Sequence, residues 1–126
     1  MKKNSVIGFW GAGKMAEGIL SALPTVTNVV MAEKNPTRAD ELRKRYGVSV
    51  TDSLTEVAQT ATIIFLAVRP QDVDAVAAEV KGWLTPKVTI VSIVAGKTIA
   101  KLRKAFGRSA QLIRVMPNLA LRAKAG

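Results

Sequence analysis

The chain has 126 residues, 48% of them hydrophobic, which is enough for one domain with a proper core. It contains no cysteine and no histidine, which excludes disulfides, thiol chemistry, Ser-His-Asp triads and the usual zinc sites, so no metal is expected. The net charge of +10 is uneven: residues 1–79 carry nine basic and nine acidic residues, and residues 80–126 carry ten basic and none acidic.

In chain order, the apolar run from Val6 breaks at Gly11-Ala-Gly13 and becomes helical over Lys14–Leu23, ending at Pro24. Thr27–Ala32 reads as a second strand. Asn35 is a good N-cap, Pro36 suits the first helical position, and the helix Pro36–Tyr46 closes at Gly47. Val48–Thr51 is a short strand, and Ser53–Glu56 reads as a capping box opening a brief helix. Thr62–Val68 is continuously apolar, as in a strand buried on both faces, and Pro70 opens a helix over Gln71–Trp83. Val88–Val94 repeats the buried-strand pattern. Thr98 caps a basic helix to Phe106 with Gly107 as its stop, and Gln111–Met116 is a last strand broken by Pro117-Asn118.

Strands alternating with helices, with short connections and no hairpins, predict an α/β fold. The expectation is a doubly wound, mostly parallel sheet, the Rossmann fold, with helices on both sides and residues 1–126 forming one dinucleotide-binding domain. Gly11, Gly13 and Ala16 stand at the G-x-G-x-x-G/A spacing. Gly11 permits a tight turn, Gly13 leaves room for a pyrophosphate, and Ala16 lets the helix approach the strand. The amides opening the helix would face the phosphate charge. Gly8, inside the strand, is a further point of close backbone approach and joins the candidate cofactor contacts.

Glu33 lies 20 residues after Gly13, where an acidic residue can grip the adenosine ribose. A carboxylate there tilts the preference toward NADH, while nearby Lys34 and Arg38 offer charge for a 2′-phosphate. Ligands of such sheets bind beyond the carboxyl ends of the strands, here Ala67–Gln71, Ala95-Gly96 and Met116–Asn118. No catalytic acid or base stands out. The basic tail could attract nucleic acid, but Trp83 and Phe106 are its only rings, so that partner is not expected. No apolar run is long enough to span a membrane, and the basic N-terminus runs into glycines rather than a cleavage site. The expected location is the cytoplasm.

Four segments together, Gly11–Ala16, Phe65–Gln71, Val91–Gly96 and Ile113–Asn118, resemble the pyrroline-5-carboxylate reductase family. The match runs from Val6 to Gly126 and corresponds to the family's N-terminal domain. It implies NAD(P)H as cofactor and reduction of a cyclic imine, 1-pyrroline-5-carboxylate, to proline. It also implies phosphate contacts from Gly13, Lys14, Met15 and Ala16, and ribose or phosphate contacts from Glu33 and Lys34. Nicotinamide-side contacts are implied for Ala67, Val68, Arg69, Pro70, Ala95, Gly96 and Asn118. Arg69 stands where the family usually has Lys, Glu33 where it has small or polar residues, and Leu54 where an Asn often lies. Leu119-Ala120 and Lys124–Gly126 depart from the usual continuation of the loop.

The family's helical C-terminal domain, which makes the dimer and most of the imine site, has no counterpart in these residues. The expectation is therefore a chain that binds dinucleotide with little or no turnover alone, and that takes imine, or forms a homo-oligomer, where that half is supplied. Two other readings are a reductase of the β-hydroxyacid dehydrogenase type and a non-catalytic nucleotide-binding module.

Overall fold

The computed structural model describes residues 5–24 and 27–116. Six strands form one sheet: β1 (Val6–Trp10), β2 (Asn28–Ala32), β3 (Ser49–Thr51), β4 (Ile63–Leu66), β5 (Thr89–Ser92) and β6 (Gln111–Arg114). Their order is β3-β2-β1-β4-β5-β6, and every recorded pairing is parallel. The expectation of a mostly parallel doubly wound sheet is borne out.

The register sorts the side chains. Phe9, Phe65, Val91 and Ile113 occupy one row across β1, β4, β5 and β6 and so share a face. Helices α1 (Lys14–Ala22) and α2 (Pro36–Tyr46) cover that face over β1–β3, burying Phe9, Ala16, Leu20, Met31 and Leu42. Helices α3 (Leu54–Thr60), α4 (Val73–Val80) and α5 (Ile99–Phe106) cover the other face, over Trp10, Ile64, Leu66 and Ile90. Trp10 is fully buried and stacks on Phe106, with ring centroids 5.8 Å apart and planes 6° apart. Its Nε1 donates to the Leu54 carbonyl at 3.0 Å, so burial leaves no polar atom unpaired.

Local signals place α2 at its predicted bounds. Asn35 Oδ1 accepts from the amides of Thr37 and Arg38, Pro36 opens the helix, and Gly47 ends it at φ 69°. Three expectations need correction. The predicted helix 71–83 is in fact a 3₁₀ turn over Pro70–Asp72, then α4, then a second 3₁₀ turn over Lys81–Trp83 that contains the weak helix former Gly82. The predicted strands 62–68, 88–94 and 111–116 stop early, at Leu66, Ser92 and Arg114. The capping box is only half formed: Ser53 Oγ accepts from the Glu56 amide, while the Glu56 carboxylate takes the Thr51 hydroxyl. The Ser53 amide turns to Thr51 Oγ1 instead. Among the described residues, no helix is long and apolar enough to cross a membrane.

Candidate dinucleotide site

Because all six strands run the same way, their carboxyl ends share one edge. The order reverses between β1 and β4, with α1 on one face and α3 and α4 on the other, so a crevice opens there. The turn after β1 forms its floor. Gly11 sits at φ +103°, and a Cβ there would lie 2.5 Å from the Ala67 carbonyl oxygen. The close approach is anchored by the Ala67 amide, which donates to the Trp10 carbonyl at 2.8 Å. Gly11 therefore answers both to backbone conformation and to contact with the end of β4.

Gly13 is the N-cap of α1 and brings no side-chain cap. A Cβ on it would meet nothing within 4 Å. The first helical hydrogen bond runs from the Glu17 amide to the Gly13 carbonyl, which leaves the amides of Lys14, Met15 and Ala16 without an intrahelical acceptor. Ala16 is fully buried, as its packing role requires. Lys14 also lines a pocket with Glu17, Gly18, Ser21 and Tyr46.

A cleft of about 510 Å³ extends from this turn toward the β2 and β3 ends. It brings together Gly11, Glu33, Lys34, Val68 and Arg69 of the residues expected from sequence. Leu54, which departs from the resembled family's pattern, lines it too, as do Asp52, Asp72, Val76 and Glu79, which the sequence did not single out. Asp52 directly follows β3, so the strand-end rule extended to that strand would have found it. Four carboxylates (Glu33, Asp52, Asp72, Glu79) face two cations (Lys34, Arg69) around the cleft, and Arg69 Nε is paired with Asp72 Oδ2 at 3.0 Å. Glu33 is held in place, its Oε2 accepting from the Asn35 amide at 2.9 Å and its own amide donating to the Thr51 carbonyl.

Other expected residues fall elsewhere. Gly8 is not at the cleft. It lies under α3, where a Cβ would be 2.5 Å from Val57 Cγ1 and 2.8 Å from Ala61 Cβ, so its close approach is to a packing helix. Pro70 is exposed at the opening of its 3₁₀ turn. Ala95 and Gly96 form an exposed turn beyond β5, with Gly96 at φ +76°, and do not line the cleft. Asn118 lies outside the described residues. Arg38, expected to offer charge to a 2′-phosphate, is committed elsewhere. Its Nε and Nη2 donate to the Ala12 carbonyl at 3.2 and 2.8 Å, and Nη2 also pairs with Glu17 Oε1 at 2.8 Å.

Glu17 is the centre of that second cluster. Its other carboxylate oxygen accepts from Arg45 Nη1 at 2.7 Å and from the Tyr46 hydroxyl. The hydrogen bonds from Tyr46 and Arg38 hold the Glu17 carboxyl down at about 2. Burial, with the hydrogen bond to Glu17 second, pushes the Tyr46 phenol up.

Residues 6–96 match the family model described as "NADP oxidoreductase coenzyme F420-dependent". The chain belongs to this family. Its relatives bear out the resemblance carried by the four motifs. It is 35% identical over 125 residues to pyrroline-5-carboxylate reductase of Escherichia coli (strain K12), covering 95% of this chain and 46% of that protein. It is 37% identical over 118 residues to pyrroline-5-carboxylate reductase 3 of Danio rerio, covering 90% and 41%. Among solved structures, the pyrroline-5-carboxylate reductase of Coxiella burnetii superposes with a TM-score of 0.82 at 27% identity, over 92% of this chain and 45% of that one. The Plasmodium falciparum pyrroline carboxylate reductase, solved with NADP bound, gives a TM-score of 0.71 at 25% identity, over 92% and 43%. The family member described here thus spans a little under half the length of the relatives it matches.

Proposed function

We propose that this chain is the dinucleotide-binding domain of an imine reductase of the pyrroline-5-carboxylate reductase type, and that it takes NADH in preference to NADPH. The observation that carries the reading is the uncapped start of α1 at Gly13, with space where a Cβ would stand, opening onto a cleft at the sheet's switch point. In the relatives' names the reaction is pyrroline-5-carboxylate reduction, and one related structure holds NADP, which supports a nicotinamide dinucleotide here.

The residues present fit that group. The amides of Lys14, Met15 and Ala16 would hold the pyrophosphate, Glu33 the adenosine ribose, and Leu54, Val68 and Val76 would give the adenine an apolar wall. When bound, a reduced nicotinamide supplies the hydride for the imine carbon. The chain's own work is to bind, orient and exclude water. The acidic ring of Glu33, Asp52, Asp72 and Glu79 supports the preference for NADH, since a 2′-phosphate would add charge of the same sign at short range.

Separate calorimetric titrations with NADH and NADPH test this. NADH is expected to bind about tenfold more tightly, equivalent to about 1.4 kcal/mol. Glu33→Gln should narrow that ratio, chiefly by improving NADPH. Binding of neither dinucleotide would overturn the reading, and equal binding of both would overturn the preference.

A further inference from the structure

We infer that Arg38 is a positioning residue for the phosphate turn, its guanidinium fork orienting the Ala12–Gly13 peptide so that the Gly13 N–H faces the ligand. The inference rests on the reading of that turn as a pyrophosphate cradle.

The need for such a device follows from the turn's composition. In a trans peptide the C=O and N–H point in opposite directions, and the described chain contains no cis bond. Rotating the Ala12–Gly13 peptide changes ψ of residue 12 and φ of residue 13, and glycine tolerates either sign of φ at little cost. Left alone, the peptide could present its carbonyl to an incoming phosphate. Arg38 prevents this. Two of its nitrogens converge on the Ala12 oxygen and draw it toward α2, which turns the Gly13 N–H to the opposite, open side.

The fork is itself held at both ends. Asn35 caps the start of α2 and accepts from the Arg38 amide, which sets where the side chain begins. Glu17, one turn into α1, takes Nη2 at 2.8 Å, and Arg45 and Tyr46 fix the other oxygen of Glu17. Arg38 thus joins the helix that follows the turn to the helix after β2. A lysine could keep the charge but could not bridge the Ala12 carbonyl and Glu17 from two nitrogens.

The test compares wild type with Arg38→Lys, Arg38→Met and Glu17→Gln, using NADH, ADP and adenosine as probes, with circular dichroism to confirm folding. Arg38→Met should weaken NADH and ADP about tenfold. Arg38→Lys should recover only part of that loss, and Glu17→Gln should fall between wild type and Arg38→Met. Adenosine has no phosphate and should bind all four proteins alike. Separately, the Gly13 amide resonance should shift on ADP addition in wild type and shift less in Arg38→Lys. Wild-type ADP affinity in a folded Arg38→Met protein, full rescue by lysine, or equal losses of ADP and adenosine would overturn the inference. If wild type binds no dinucleotide, the cofactor reading fails first, and the two failures are told apart.

Discussion

Three glycines within six residues answer to three different physical demands. Gly8 leaves room for Val57 of α3 and for Ala61 just beyond it, Gly11 adopts φ +103° against the Ala67 carbonyl, and Gly13 opens toward free space. Their alanine variants should separate accordingly. Gly8→Ala forces a methyl into packed side chains and should cost about 1–3 kcal/mol in urea denaturation, with NADH affinity of the folded protein unchanged. Gly13→Ala meets no atom within 4 Å and has an ordinary φ of −81°, so stability should hold while dinucleotide affinity falls. A large stability loss in Gly13→Ala, or lost affinity with intact stability in Gly8→Ala, would reverse these roles. The glycine spacing was legible in the sequence. Which glycine serves the ligand was not, because α3 meets Gly8 through residues some fifty positions away.

At the scale of elements, α2 was legible to the residue because its signals are local: an asparagine cap, a proline and a left-handed glycine. Its tie to α1 was not. Glu17 is separated by 21, 28 and 29 residues from Arg38, Arg45 and Tyr46, and no sequence period links them. That tie makes stability depend on acidity. The Glu17 carboxyl is lowered from 4.5 to about 2 on folding, chiefly by Tyr46 and then Arg38. A lowered carboxyl contributes stability in full above its unfolded value and loses it as pH falls through the folded one. The melting temperature should therefore drop between pH 4.5 and about 2, by on the order of 5 °C from this group. Glu17→Gln should be less stable at neutral pH and should show a flatter acid limb. An acid limb as steep as wild type's in that variant would remove Glu17 as the source.

At the scale of the described molecule, α1 and α2 lie over β1–β3, and Phe65 of β4 packs against the same cluster. On the same face Ile63, Ile113 and Val115 stand 40%, 48% and 43% exposed over β4–β6. Four lysines of the basic last third, Lys81, Lys97, Lys101 and Lys104, line a groove of about 520 Å³ between α4 and α5, with Asp74 beside them. Four other carboxylates, Glu33, Asp52, Asp72 and Glu79, line the cleft on the other flank of α4. A ligand that binds only the folded domain stabilises all of it. NADH at one hundred times its dissociation constant should raise stability by about 2.7 kcal/mol, read as an upward shift of the thermal transition. No shift at saturating NADH would argue that the cleft does not hold it.

The sequence alone determined the alternation of strands and helices, the parallel sheet, the glycine turn and the position of Glu33 at the second strand's end. Those features rest on short-range physics: side-chain period, capping chemistry and the conformational freedom of glycine within a few residues. The fold, not the local sequence, makes Gly8 pack a helix, sets Arg38 on the Ala12 carbonyl and gathers Asp52, Asp72 and Glu79 with Glu33 around one cleft. These are contacts between segments far apart in the chain. Their partners are chosen by strand order and helix packing, which no local pattern of residues encodes.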